Sequence, residues 1–153
     1  MILFIHIELT RELSIVKSIV MKRKAINPST LFDSTQFGFS QIVVSNPGKI
    51  VSISGQVAWD KHQNIIGEND LAMQTEKALD NLKIAVTEAG GSMDDIVMLR
   101  IYKVNFQKED ANVISEILQK YFGVENPPAS TWLSVQGLAN DKFMIEIEAQ
   151  AMI

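Results

Sequence analysis

Apolar positions along the chain change period several times, and each change marks an element. In NDLAMQTEKALDNLKIAVTEAGG, Leu71, Ala78, Leu79, Leu82, Ala85, Val86 and Ala89 recur at spacings of three and four, the stripe of an amphipathic helix. Asn69 or Asp70 supplies its N-cap, and Gly90-Gly91 a left-handed stop. Ser92 and Asp95 follow at the spacing of a capping box. Val113, Ile114, Ile117, Leu118, Tyr121 and Phe122 form the apolar face of a second helix that stops at Gly123. Elsewhere the runs are β-branched. QIVVS and KIVSISG flank the turn-forming NPGK and predict a hairpin. IVMLRIYKV predicts a long strand, and residues 129–135 and 143–152 two more. The order ββ-α-β-α-ββ predicts an α+β domain with both helices on one face of a mixed sheet.

The other face of that sheet is not cleanly polar. In the last strand Phe143, Ile145, Ile147, Ala149 and Ala151 share one side, and Met144, Glu146, Glu148, Gln150 and Met152 the other. Neither side of IVMLRIYKV is polar throughout. A two-layer domain of this size buries such a second face against a copy of itself, so the pattern predicts an oligomer.

The start of the chain reads differently. Residues 1–21 are apolar but interrupted by His6, Glu8, Arg11, Glu12 and Lys17, and they lack the basic region and cleavage site of a signal peptide. From Met21 the text MKRKAINP has the polarity of an ordinary N-terminus. Residues 1–21 are therefore expected to be a peripheral or poorly ordered extension, or an amphipathic helix docked on the body; residues 22–153 are the domain.

Composition narrows the chemistry. The chain has no cysteine, which excludes disulfides, thiolate metal sites and cysteine nucleophiles. Its two histidines, His6 and His62, lie far apart, so neither a zinc site nor a Ser-His-Asp triad is expected. The net charge of −4, with Lys22-Arg23-Lys24 as the one basic cluster, argues against a nucleic-acid partner. No apolar run is long enough to span a membrane. A cytoplasmic protein is the simplest expectation.

Three places remain for function. Glu146 and Glu148 share a strand face with Cα atoms roughly 7 Å apart, a separation that suits acid–base work or an ion-paired surface. Ser130, Trp132 and Ser134 alternate onto one face of the preceding strand; Ser130 has no base within sequence reach, and a strand Trp more often packs than binds. Gly55, closing the strand SISG, marks a bulge or a close backbone approach.

The strings FSQIVVSNPGKIVSISGQVAWD, QTEKALDNLKIAVTEAGGSMDDIVMLRIYKVNF and PPASTWLSVQGL with IEIEAQAMI resemble, in order, the RidA (YjgF) family across residues 22–153. The most specific matches are Ser54-Gly55-Gln56, Ala78-Leu79-x-Asn81-Leu82 and Ile145-Glu146-Ile147-Glu148-Ala149. The resemblance implies a fold like chorismate mutase, a homotrimer around a central barrel, and small-molecule clefts between subunits. It implies cofactor-free hydrolysis of enamines and imines such as 2-aminoacrylate and 2-iminobutanoate, with Glu146 as the acid that handles water and Gly55 in the pocket. It also exposes departures. The family's carboxylate-binding arginine is Ser130 here, the small residue two positions on is Trp132, and the pocket tyrosine is Phe39. A neutral serine offers one donor where arginine offers a charged fork. Two readings follow: a deaminase with weakened or altered substrate use, or a non-catalytic trimer that binds a small molecule. Arg100 is expected to pair with Glu146 or Glu148 rather than replace the lost clamp.

Overall fold

The computed structural model describes residues 23–153. The expected extension at residues 1–21 lies outside the described residues. Six strands and two α-helices follow: β1 (Arg23–Ile26), β2 (Ile42–Ser45), β3 (Ile50–Gln56), α1 (Leu71–Glu88), β4 (Ile96–Val104), α2 (Asp110–Phe122), β5 (Ala129–Val135) and β6 (Ile145–Met152). The main sheet runs β3-β6-β4-β5, with β4 and β5 parallel and the other pairs antiparallel. This is the mixed sheet of an α+β fold.

One expectation is corrected. QIVVS and KIVSISG do not pair as a hairpin: β2 pairs antiparallel with β1, and β3 pairs with β6. The chain at NPGK instead reaches the C-terminus, where Lys49 and Ile153 exchange backbone hydrogen bonds of 2.7 and 3.0 Å. A Cβ at Gly48 would lie 2.7 Å from the Ile153 carbonyl oxygen, so only glycine admits this approach. Arg23-Lys24-Ala25-Ile26, too polar to read as a strand, is held by Asn126, whose Oδ1 accepts from the Ala25 N–H and whose carbonyl accepts from Arg23.

The core forms where the apolar faces meet. Leu79, Leu82 and Val86 of α1, Ile114 and Leu118 of α2, Leu99 and Ile101 of β4, and Ile145 and Ile147 of β6 make one buried cluster. Both helices thus cover the same face of the sheet. Ala89, expected in the α1 stripe, is exposed where the helix ends. Asp70 is the N-cap, accepting from the Met73 N–H at 2.9 Å. Gly90 and Gly123, at φ of 90° and 69°, stop the two helices as their positions predict. Asp95 accepts from the backbone N–H and the hydroxyl of Ser92, anchoring the turn into β4.

Buried polar groups tie the loops to this core. Gln74 donates to the Gly67 and Lys142 carbonyls and accepts from the Met144 N–H, linking α1 to both neighbouring loops. Lys103 is only 6% exposed and reaches the carboxylate of Asp110 in the first turn of α2. Among the described residues no helix covers the opposite sheet face. Ile50 is 68% and Leu133 43% exposed there, flanked by half-buried Met98 and Met152.

Candidate functional site

β3 does not run straight along β6. Its register shifts between Ile53 and Gln56, placing a bulge at Ser54-Gly55 opposite Glu148. At that bulge the side chain of Glu146 folds over the Gly55 backbone so closely that any Cβ there would collide with it. Beyond Gln56 the chain leaves the sheet and turns back across α1. Asn81 fixes this turn, its amide donating to the carbonyls of Val57 at 2.9 Å and Trp59 at 2.8 Å.

The result is a cleft of about 770 Å³ at the β3 edge of the sheet. Gly55, Gln56 and Glu146 form its floor. α1 contributes Lys77, Asn81, Ile84 and Ala85, at helical spacings that put them on one side. Trp59 and Phe143 meet edge to face with centroids 5.0 Å apart and close one end. Asp60 also lines the cleft, but its carboxylate is committed to its own turn. It accepts from the His62 and Asn64 backbones and the Asn64 amide, bonds that hold its pKa below the usual carboxylate value.

The two glutamates of β6 have separate fates. Glu148 pairs with Arg100 directly across the β4–β6 register, as expected for that arginine. The pairing raises the Arg100 pKa, and burial followed by the Glu148 charge raises that of neighbouring Tyr102. Glu146, opposite Tyr102, lies in the cleft. Only one carboxylate of the pair is therefore available for chemistry there.

Ser130, Trp132 and Phe39 stand elsewhere in the chain's own fold. Trp132 leans against Phe106 with ring centroids 6.2 Å apart and donates its indole N–H to the Ser130 hydroxyl at 3.0 Å. Phe39 packs edge to face on Phe32, which is 60% exposed. The adjoining Ser40 is buried and bonds the Pro127 and Pro128 carbonyls, seating this aromatic ledge beside the start of β5. The structure thus brings Gly55 and Glu146 together and leaves Phe39, and separately the bonded pair Ser130 and Trp132, outside the cleft. Sequence reasoning missed Lys77, Trp59 and Phe143 as cleft residues and gave Asn81 no role. The signal for Asn81 was present, because it is a polar side chain inside the apolar stripe between Ala78 and Leu82.

A bulged mixed sheet under two helices, with a carboxylate-floored cleft at its edge, defines a class of small α+β domains with edge-of-sheet sites. Within it, the family model described as endoribonuclease L-PSP matches residues 33–153. RutC family proteins of Pyrococcus abyssi and Pyrococcus horikoshii are 32% and 33% identical over 104 residues, covering 68% of this chain and 79% of each relative. The crystal structure of YyfB from Yersinia pestis, a protein of unknown function in the conserved Rid family, superposes with a TM-score of 0.83 at 38% identity, covering 87% of this chain and 100% of that one. TdcF of E. coli, crystallised with bound serine, gives a TM-score of 0.61 at 26% identity, covering 71% and 84%. The chain belongs to the RidA/YjgF/L-PSP family.

Proposed function

We propose that residues 22–153 form a cofactor-free hydrolase domain of the enamine and imine deaminase lineage, with weakened or altered use of 2-imino acids. The observation that carries this reading is the Glu146 carboxylate, lodged over Gly55 on the floor of an open cleft while its strand neighbour Glu148 is neutralised by Arg100. In that place Glu146 takes a proton from water as the oxygen attacks the C=N carbon. The proton passes to nitrogen, the C–N bond breaks, and a 2-keto acid and ammonia leave. One water is consumed and no electrons are exchanged, so no cofactor enters the balance.

The site is completed by a second copy. The exposed Phe32–Phe39 ledge and the open sheet face with Ile50 and Leu133 support assembly as a homotrimer, in which Phe39, Ser130 and Trp132 of one subunit close the cleft of the next. The serine bound to TdcF supports a small polar ligand for this fold. RNA cleavage, which the family description names, is disfavoured by the net charge of −4 and by a cleft without histidine among the described residues.

A second reading, a trimer that binds a small molecule without turnover, is favoured by one observation. The Ser130 hydroxyl, at the position of the carboxylate-binding arginine, is occupied by the Trp132 indole. Ammonia release from freshly generated 2-iminobutanoate decides between them. Hydrolysis predicts release above the uncatalysed rate that Glu146→Gln abolishes. The same background rate from wild type and Glu146→Gln would leave the binding reading.

A further inference from the structure

The cleft carries its own cations. Lys77, half-buried on α1, and Lys61, exposed on the loop after β3, both line it. Arg100, Lys103, Lys120 and Lys142 are each paired with a carboxylate, whereas among the described residues neither Lys61 nor Lys77 has an ion pair. The acids in the same cleft do not take that place. Asp60 is committed to its turn, and Glu146 is held over Gly55. The cleft is thus bipolar, with a carboxylate on its floor and unpaired ammonium groups on its walls.

We infer that Lys77 is the anion receptor of this cleft, binding the carboxylate of a small organic acid so that the adjacent carbon faces Glu146. The inference rests on the reading of the cleft as a small-molecule site. Three features argue for Lys77 over Lys61. It stands one helical turn, about 6 Å, from Asn81, whose two hydrogen bonds fix that stripe of α1 over the cleft. It is half-buried, so a ligand anion there is less screened by solvent than one beside exposed Lys61. Ile84 and Ala85 continue the stripe as apolar wall, leaving Lys77 as the charged group of that helix face. An ammonium is a point charge rather than a fork, so this receptor selects charge and tolerates varied ligand shape. It would account for a chain of this family working with a serine at the arginine position.

Calorimetric titration of the full chain at low ionic strength tests this with two unreactive probes, 2-oxobutanoate and its neutral amide. Wild type should bind the keto acid more tightly than the amide. Lys77→Met should weaken keto-acid binding at least about tenfold, as loss of a charge-assisted contact requires, and leave the amide unchanged. Lys77→Arg should retain binding, and Lys61→Met should cost less than Lys77→Met. No uptake of the keto acid, equal affinity for the two probes, or a keto-acid affinity indifferent to Lys77→Met would each overturn the inference. Turnover separates the two readings. Hydrolysis that depends on Glu146 but binding that ignores Lys77 leaves the deaminase standing and removes the anion receptor. Lys77-dependent binding without ammonia release does the reverse.

Discussion

A Cβ on Gly55 would lie 1.8 Å from Oε1 of Glu146, so the glycine and the carboxylate occupy their places only together. The bulge supplies the bend, and the missing side chain supplies the room. Gly55→Ala should therefore act on Glu146 rather than on the core. We expect a loss of about 1–3 kcal/mol from forced displacement of the strand or carboxylate, read by chemical denaturation. Ammonia release should fall as far as in Glu146→Gln. An alanine variant with wild-type rate would show that the carboxylate works equally well from another rotamer.

Half of this relationship is legible in the sequence. SISG placed a glycine at a strand end, where a bulge or a close approach was the natural reading, and both are present. The β4 and β5 bounds match the strands read at residues 96–104 and 129–135, the second from the alternation of Ser130, Trp132 and Ser134, and the helix stops match Gly90 and Gly123. The hairpin reading failed because NPGK has turn chemistry, while the partner that β2 takes is a basic stretch with no strand signal of its own. Local propensity does not carry the Asn126 contacts that hold β1 in place from about a hundred residues away. The cleft was hidden for a similar reason. Lys77 sits on the polar side of an amphipathic helix, and only the return of residues 57–61 against α1 turns that side into a wall.

The two helices are joined by a phenol that titrates. The Tyr121 hydroxyl donates to Asp80 Oδ1 at 2.7 Å, with the Glu76 carbonyl at 3.2 Å. Burial first, then the hydrogen bond and charge of Asp80, push its pKa well above that of a free tyrosine. A folded-state pKa above the unfolded one stabilises fully below the unfolded value, about pH 10, and that stability is lost as pH rises through the folded value. Tyr121→Phe should cost up to about 1 kcal/mol at neutral pH, since the bond is largely exposed. Denaturation curves at rising pH should show wild type converging on the variant above about pH 10. A gap that stays constant into the alkaline range would mean the tyrosine contributes by packing alone.

The last prediction concerns Ser130. On the proposed reading, the arginine that the family resemblance implies at position 130 would offer two parallel donors to a carboxylate, and a charge-assisted contact of that kind is worth roughly 1.5–3 kcal/mol, about 10- to 150-fold in rate. Wild type should therefore release ammonia from 2-iminobutanoate at least about tenfold more slowly than an arginine-bearing relative, because a monodentate lysine does not reproduce the fork. Ser130→Arg should recover part of that rate, but the substitution does not enter an empty place. It removes the acceptor of the Trp132 indole N–H and meets an aromatic packed against Phe106. Trp132→Ser alongside it should raise the rate further by clearing the space, with a lower melting temperature from the lost contact with Phe106. The order of the three kcat/KM values is the measurement, wild type lowest and double variant highest. Equal values for wild type and an arginine-bearing relative would sink the argument from charge, and a double variant no faster than wild type would show that the cleft has diverged beyond this one position.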